Sequence, residues 1–205
     1  MRQGAISEKL HSYGWLGLIS LGIDLLFTRL WFPRARLIRR PIQFRGRAFI
    51  DYGTGLTTGR YCRIDALAKG PASKPLIQFG SGVQINDSVH IGAIESVTIR
   101  DHVLIASRVF ISDHNHGCYS GPSLHSCPES VPFERPLTSS PILIEENVWI
   151  GESVSILPGV TIGRGSIIGA QSVVSKSVPP NCIAVGAPAR VIKTYNFASS
   201  TWERV

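Results

Sequence analysis

The chain lacks most of the signals that would place it in a common fold or function class. Its four cysteines, Cys62, Cys118, Cys127 and Cys182, show no C-x-x-C spacing and no secretory signal precedes them. That speaks against a disulfide framework or a zinc site and for free thiols in a reducing cytoplasm. The formal charge is +7, yet no groove-reading motif or basic-aromatic stripe accompanies it, so nucleic acid is not an expected partner. No clean membrane span is present: the apolar stretch from Tyr13 to Phe32 carries Asp24 and Arg29 inside it and is barely long enough to cross a bilayer. The helical period of 3.6 and the strand period of 2 are both missing from the central region.

What is there instead is an apolar residue at every sixth position. One run holds Phe79, Ile85 and Ile91 and, after a slip of two residues, Ile99, Ile105 and Ile111. A second holds Ile144, Ile150, Ile156, Ile162, Ile168 and Val174 without a break. Another apolar register follows four residues behind, in Val83, Val89, Val103 and Val109 and then Val148, Val154, Val160 and Val178. A short fixed repeat means a solenoid, whose units cannot bury a face alone and stack on their neighbours. A period of six specifies a parallel β-helix. Gly151, Gly163 and Gly169 each follow a beat residue, at corners that tolerate few side chains.

The 205 residues fit one domain with small appendages. Residues 1–41 form an apolar, basic start. Leu18, Leu21, Leu25, Ile19 and Ile23 would share a broad helical face, and Arg29, Arg34, Arg36, Arg39, Arg40, Arg45 and Arg47 crowd its end. Two uses stand open: a cap on the first coil, which solenoids require, or peripheral contact with the headgroups of an anionic inner membrane. Residues 42–193 carry the repeat, faint at first in Phe44, Ile50, Leu56 and Cys62, with a loop over 68–75. A long excursion, 112–143, interrupts it, and such a loop within regular coils is expected to be functional. The tail, 194–205, is expected to pack Tyr195, Phe197 and Trp202 back on the coils.

Chemistry concentrates where the coil gives way to the excursion, in Ser112–Gly117 (SDHNHG). Histidine suits general-base work because its pKa lies near neutrality. His114 and His116 would face one side of an extended strand. A structural turn built on Asp113 and Asn115 and a metal pair are the alternatives, the latter without convincing third and fourth ligands. Nothing in the sequence shows Asp113 orienting either imidazole.

The repeats of Val148–Lys193, with NVWIG and GAPA at their two ends, resemble the hexapeptide-repeat acetyltransferases, in particular the maltose and galactoside branch. VQINDSVHI, LIASRVFISDHNHG and the ending TYNFASSTWERV are similar to the O-acetyltransferases of bacterial O-antigen and capsule assembly. The resemblance covers 42–205 well and the helical start more loosely. It implies an all-β solenoid, a left-handed parallel β-helix with a short N-terminal helical segment and a loop excursion. It further implies a homotrimer with active sites between subunits and acetyl-CoA as co-substrate, with no resident metal. The acceptor would be a sugar or lipid-linked saccharide, met in the cytoplasm or at the cytoplasmic face of the inner membrane. The catalytic histidine maps to His114 by motif order and to His116 by ungapped counting. Asn86 and His90 fall on the acceptor side. Trp149 falls beside the thioester, and Glu152, Ala170, Ser175, Lys176, Arg190 and Lys193 along the pantetheine and phosphate groove. Relatives carry Ser or Ala where Glu152 stands and Thr where Ser175 stands, which leaves the role of Glu152 open.

Rival readings are a free or nucleotide-linked sugar as acceptor, a serine acetyltransferase without its large helical domain, a non-catalytic scaffold, and a γ-carbonic-anhydrase-like protein. The last would need a metal held by histidines such as His90, His102, His114 and His116.

Overall fold

The computed structural model describes residues 2–68, 70, 74–121 and 125–205, with side chains from residue 11 onward. The chain winds into a left-handed parallel β-helix with three flat faces. The beat residues are the coil: Ile85, Ile91 and Ile99 fall on successive faces, and Ile105, Ile111 and Ile144 pair with them one coil later. Ile150, Ile156 and Ile162 form the next layer, and Ile168 and Val174 the one after. All of them point inward and are almost fully buried, as are the valines of the second register. Each such side chain contributes about 1.5–3 kcal/mol on leaving water, so the stack of isoleucines is the core.

The first face is built from Leu37–Ile38, Thr57–Thr58, Gln84–Ile85, Leu104–Ile105, Trp149–Ile150, Ile167–Ile168 and Cys182–Gly186. The second holds Ile42–Arg45, Cys62–Ala66, His90–Ala93, Phe110–Ser112, Ser155–Ile156 and Val173–Val174. The third runs from Ile50–Asp51 through Ile77–Phe79, Val97–Ile99 and Ile142–Ile144 to Thr161–Ile162. Corners are tight. A Cβ on Gly163 would lie 2.3 Å from the Pro180 nitrogen, and one on Gly151 2.6 Å from the Ala170 nitrogen. Crowding by the next coil is what requires glycine there.

The coils begin earlier than expected, since Leu37–Ile38 already pairs in parallel with Thr57–Thr58. Most of the loop expected over 68–75 lies outside the described residues. The excursion is better ordered at its base than a plain loop. His114–His116 pairs antiparallel with Leu137–Ser139, and the repeat resumes at Ile142. The tail also differs: Ala189–Asn196 and Thr201–Arg204 extend the first face as antiparallel strands. Tyr195 packs on Phe197 and Trp202, with ring centroids 4.9 and 5.2 Å apart, so these aromatics stack on one another.

The N-terminal helix, α1 (Arg2–Trp31), breaks its helical angles at Gly14 and ends against the first coil. The expected face is divided: Leu18 and Leu21 are half-buried while Ile19, Ile23 and Leu25 are exposed, and the side that meets the body also carries Ser20, Asp24 and Thr28. The reason lies in what the first two coils offer. Ile38 has no strand above it, and its N–H is capped by Thr28 Oγ1 at 2.8 Å. Arg40 and Arg60 need an anion, and Asp24 supplies one at 3.3 and 3.0 Å. Phe32, just past the helix, closes the core against Phe44 and Tyr52.

Candidate active site

The two-residue slip between Ile91 and Ile99 lengthens one corner, at Ile94–Ser96. Asp113, wholly buried, fills it: its carboxylate accepts N–H bonds from Ile94 at 3.0 Å and from Glu95 and Ser96 at 2.8 Å each. The same carboxylate lies 2.9 Å from Nδ1 of His114. An ionised carboxylate only accepts hydrogen bonds, so Nδ1 carries the proton and Nε2 keeps its lone pair. The structure thus supplies the orienting role for Asp113 that the sequence did not display. Ser112 Oγ stands 3.3 Å from the same Nδ1.

His114 lines a cavity of about 310 Å³ together with His90, His116, Arg63, Asp65 and Phe110. Gly92 separates the two imidazoles, and a Cβ there would come within 3.5 Å of His114 Cε1 and 3.9 Å of His90 Nε2. His90 rests on the Phe110 ring. Burial, and then the Arg63 guanidinium, hold its pKa below the ordinary value, while Asp65 pulls the other way. His116 shares the wall with His114, as the extended spacing predicted, but it is exposed and its ring has no hydrogen-bond partner among the described residues.

Asp65 and Arg63 were not singled out in the sequence. Asp65 is buried, and its Oδ2 receives Arg63 Nε at 2.5 Å and lies 3.5 Å from His90 Nε2. Its Oδ1 has no hydrogen-bond partner among the described residues, and Arg45 Nε stands off at 3.7 Å. The signal was an Arg-Ile-Asp triplet inside a strand of the faint early repeat. Among the described residues no three His, Cys, Asp or Glu side chains converge to hold a metal ion.

The remaining candidates stand elsewhere. Asn86, Glu152 and Ala170 are exposed on the turns that lead from the first face into the second. Trp149, half exposed, stands on the first face between Leu104 and Ile167. Arg190 and Lys193 lie on the strand that extends that face. Glu152 is held by Arg108, one coil away on the same edge. His114 follows the strand that leaves the second face, and Ser175 and Lys176 follow the corresponding strand two coils on. One chain therefore puts the imidazoles on one edge of the second face and Asn86, Trp149, Glu152 and Ala170 beyond the other.

Residues 141–176 match the bacterial transferase hexapeptide family (six repeats). The chain is 44% identical over 192 residues to WbbJ of Escherichia coli K12, which is assigned as a lipopolysaccharide biosynthesis O-acetyl transferase; the match covers 94% of this chain and 95% of that one. Among solved structures, a maltose O-acetyltransferase from Clostridium difficile 630 superposes with a TM-score of 0.59 at 32% identity, over 72% of this chain and 71% of that one. A galactoside acetyltransferase in complex with coenzyme A gives 0.51 at 36% identity, over 70% and 66%.

Proposed function

The chain belongs to the family of bacterial hexapeptide transferases, and on that footing we propose that it moves acetyl from acetyl-CoA to a sugar hydroxyl during assembly of a bacterial surface polysaccharide, O-antigen or capsule. It is an acetyl-CoA-dependent O-acetyltransferase. The finer acceptor assignment rests on the relative that matches nearly the whole chain. The observation that carries the chemistry is the Asp113–His114 pair opening on the cavity it shares with His90, Arg63 and Asp65.

His114 Nε2 takes the proton of the acceptor hydroxyl as its oxygen attacks the thioester carbonyl carbon. Asp113 stabilises the imidazolium that forms, and the carbonyl oxygen takes up the negative charge. When the tetrahedral centre collapses, the C–S bond breaks and the imidazolium returns its proton to the departing thiolate. Acceptor and thioester held side by side supply much of the remaining rate. His90, Arg63 and Asp65 line the acceptor side. The thioester side comes from a second copy in a homotrimer, whose Trp149 and Ala170 edge faces the His114 edge of its neighbour and brings Asn86 to the acceptor hydroxyl. The separation of the two groups across the second face supports this. Lys176, Arg190 and Lys193 then act as charge complements to the CoA phosphates, with Ser175 beside them. The reaction is placed in the cytoplasm, where the acetyl-CoA supply and free thiols are found together.

The test is acetyl transfer from labelled acetyl-CoA into a lipid-linked saccharide fraction, with free and nucleotide-linked sugars in parallel. Label in the lipid-linked fraction that vanishes in His114→Ala supports the proposal. Label only in a free or nucleotide-linked sugar moves the acceptor, and acetyl-CoA binding without transfer to any of them overturns it.

A further inference from the structure

Helix α1 packs Phe27 against the core but turns its polar stripe to the body and a large apolar surface outward. Its polar stripe, Ser20, Asp24 and Thr28, recurs every fourth residue and is spent on the body: Ser20 on Arg60, Asp24 on Arg40 and Arg60, Thr28 on Ile38. Leu16, Ile19, Ile23, Leu26 and Leu30 consequently face outward, from 49% exposed at Ile23 to 84% at Leu16. Trp15 and Trp31, both exposed, stand at the two ends of this surface. A helix docked in water buries its apolar side, and a contiguous exposed apolar patch marks an interaction surface.

Charge identifies the occupant. Residues 1–47 hold nine Arg or Lys against two Asp or Glu, and residues 48–205 hold twelve of each. The whole +7 excess therefore sits on and beside the helix. Arg29 and Arg36 are exposed with no acidic partner among the described residues. A second copy seated on this face would bring the same positive stretch against itself, whereas an anionic surface would be attracted to it.

By length and apolar composition His11–Trp31 suffices to cross a bilayer, but Gly14 breaks its helical angles, and the unbroken part from there to Trp31 runs only about 25 Å against a hydrocarbon core of about 30 Å. Its middle is fastened to the coils through Asp24. We propose that residues 15–31 form an in-plane membrane anchor, apolar side down in the headgroup layer of a bilayer containing anionic lipid. Trp15 and Trp31 lie at the interface, and the Asp24 ion pairs hold the β-helix above the surface. This bears on where the acceptor is met and does not depend on the transfer chemistry.

The full chain is sedimented with vesicles of phosphatidylcholine alone and with about 30 mol% phosphatidylglycerol added. Binding is expected on the anionic vesicles at least about tenfold above the neutral ones, weakened by salt. The triple variant Leu16→Ser, Ile19→Ser, Ile23→Ser should lose about tenfold in binding on anionic vesicles, keep its oligomeric mass and transfer acetyl to a soluble acceptor as before. Protease sealed inside the vesicles should leave the first 14 residues intact. No binding by the wild type, undiminished binding by the variant, a fall in its oligomeric mass, or cleavage from inside would each overturn the anchor. Transfer to the soluble acceptor reports separately on the catalytic proposal.

Discussion

Asp113 and His114 are neighbours in sequence, yet their side chains are hydrogen-bonded, Oδ1 to Nδ1 at 2.9 Å. The bond exists because the Asp113 carboxylate is turned into the lengthened corner at Ile94–Ser96, which holds it with three N–H groups. Asp113→Asn keeps the shape but exchanges a carboxylate oxygen for an NH₂. It should lower kcat about 10²-fold with KM for acetyl-CoA little changed, because the imidazolium loses its counter-charge. Loss of one acceptor in a buried cluster should also cost about 1–3 kcal/mol of stability. Steady-state kinetics with a denaturant titration separates the two effects; an unchanged kcat would remove Asp113 from the mechanism.

His114→Ala should lower kcat by about 10²–10⁴. His116→Ala, on an exposed ring with no hydrogen-bond partner among the described residues, should stay within about tenfold of wild type. Both are read at saturating acetyl-CoA, and the reverse order would move the base to His116.

The fold was legible because every beat residue assigns itself to a face, and a solenoid repeats that assignment coil after coil. The histidines were legible because they stand where the beat fails. The Asp113 contact was not, since the corner that receives it lies 17 to 19 residues back and meets it only after one full coil. How the helix sits was left open, between a cap on the first coil and contact with headgroups. Its apolar residues were visible, but only the structure shows that the first two coils present Arg40, Arg60 and the Ile38 N–H, which draw the polar stripe inward. Arg108, 44 residues from Glu152, was equally beyond local reading.

His90 makes stability depend on pH. Burial and Arg63 lower its pKa from the ordinary 6.5, so on acidification the unfolded chain takes up the proton first. Its contribution is present above about pH 6.5 and is lost as pH falls below that value. The drop in Tm between about pH 7.5 and 5.5 should be smaller in His90→Gln than in wild type. An equal drop would mean that the cavity does not keep the imidazole neutral.

Asp24→Asn tests how the helix is held. Arg40 and Arg60, each partly exposed, lose their shared anion. The half-exposed setting reduces the cost of a broken buried pair to about 1–3 kcal/mol. Limited proteolysis should cut the variant near the end of the helix well before wild type, while the coils stay intact. Equal resistance would place the docking energy in Phe32 and Thr28.

Glu152, whose role the sequence left open, has a partner in Arg108. Both side chains are substantially exposed, 47% and 64%, so the pair contributes little to stability, about 0–1 kcal/mol. Its effect should be on binding. The turns they occupy, one coil apart, lie on the edge proposed to hold the cofactor, beside Ala170, and acetyl-CoA carries several phosphate charges. Glu152 there both repels that charge and occupies a guanidinium that would otherwise attract it. Glu152→Gln removes the repulsion and frees Arg108, so KM for acetyl-CoA should fall a few-fold, about 3–10, with kcat unchanged. The gain should shrink as salt is raised. Arg108→Gln in the wild-type background should act in the opposite direction only if some of the guanidinium already reaches the cofactor. A rise in KM in Glu152→Gln would instead mean that the carboxylate itself contacts the cofactor, as an acceptor for one of its N–H or hydroxyl groups.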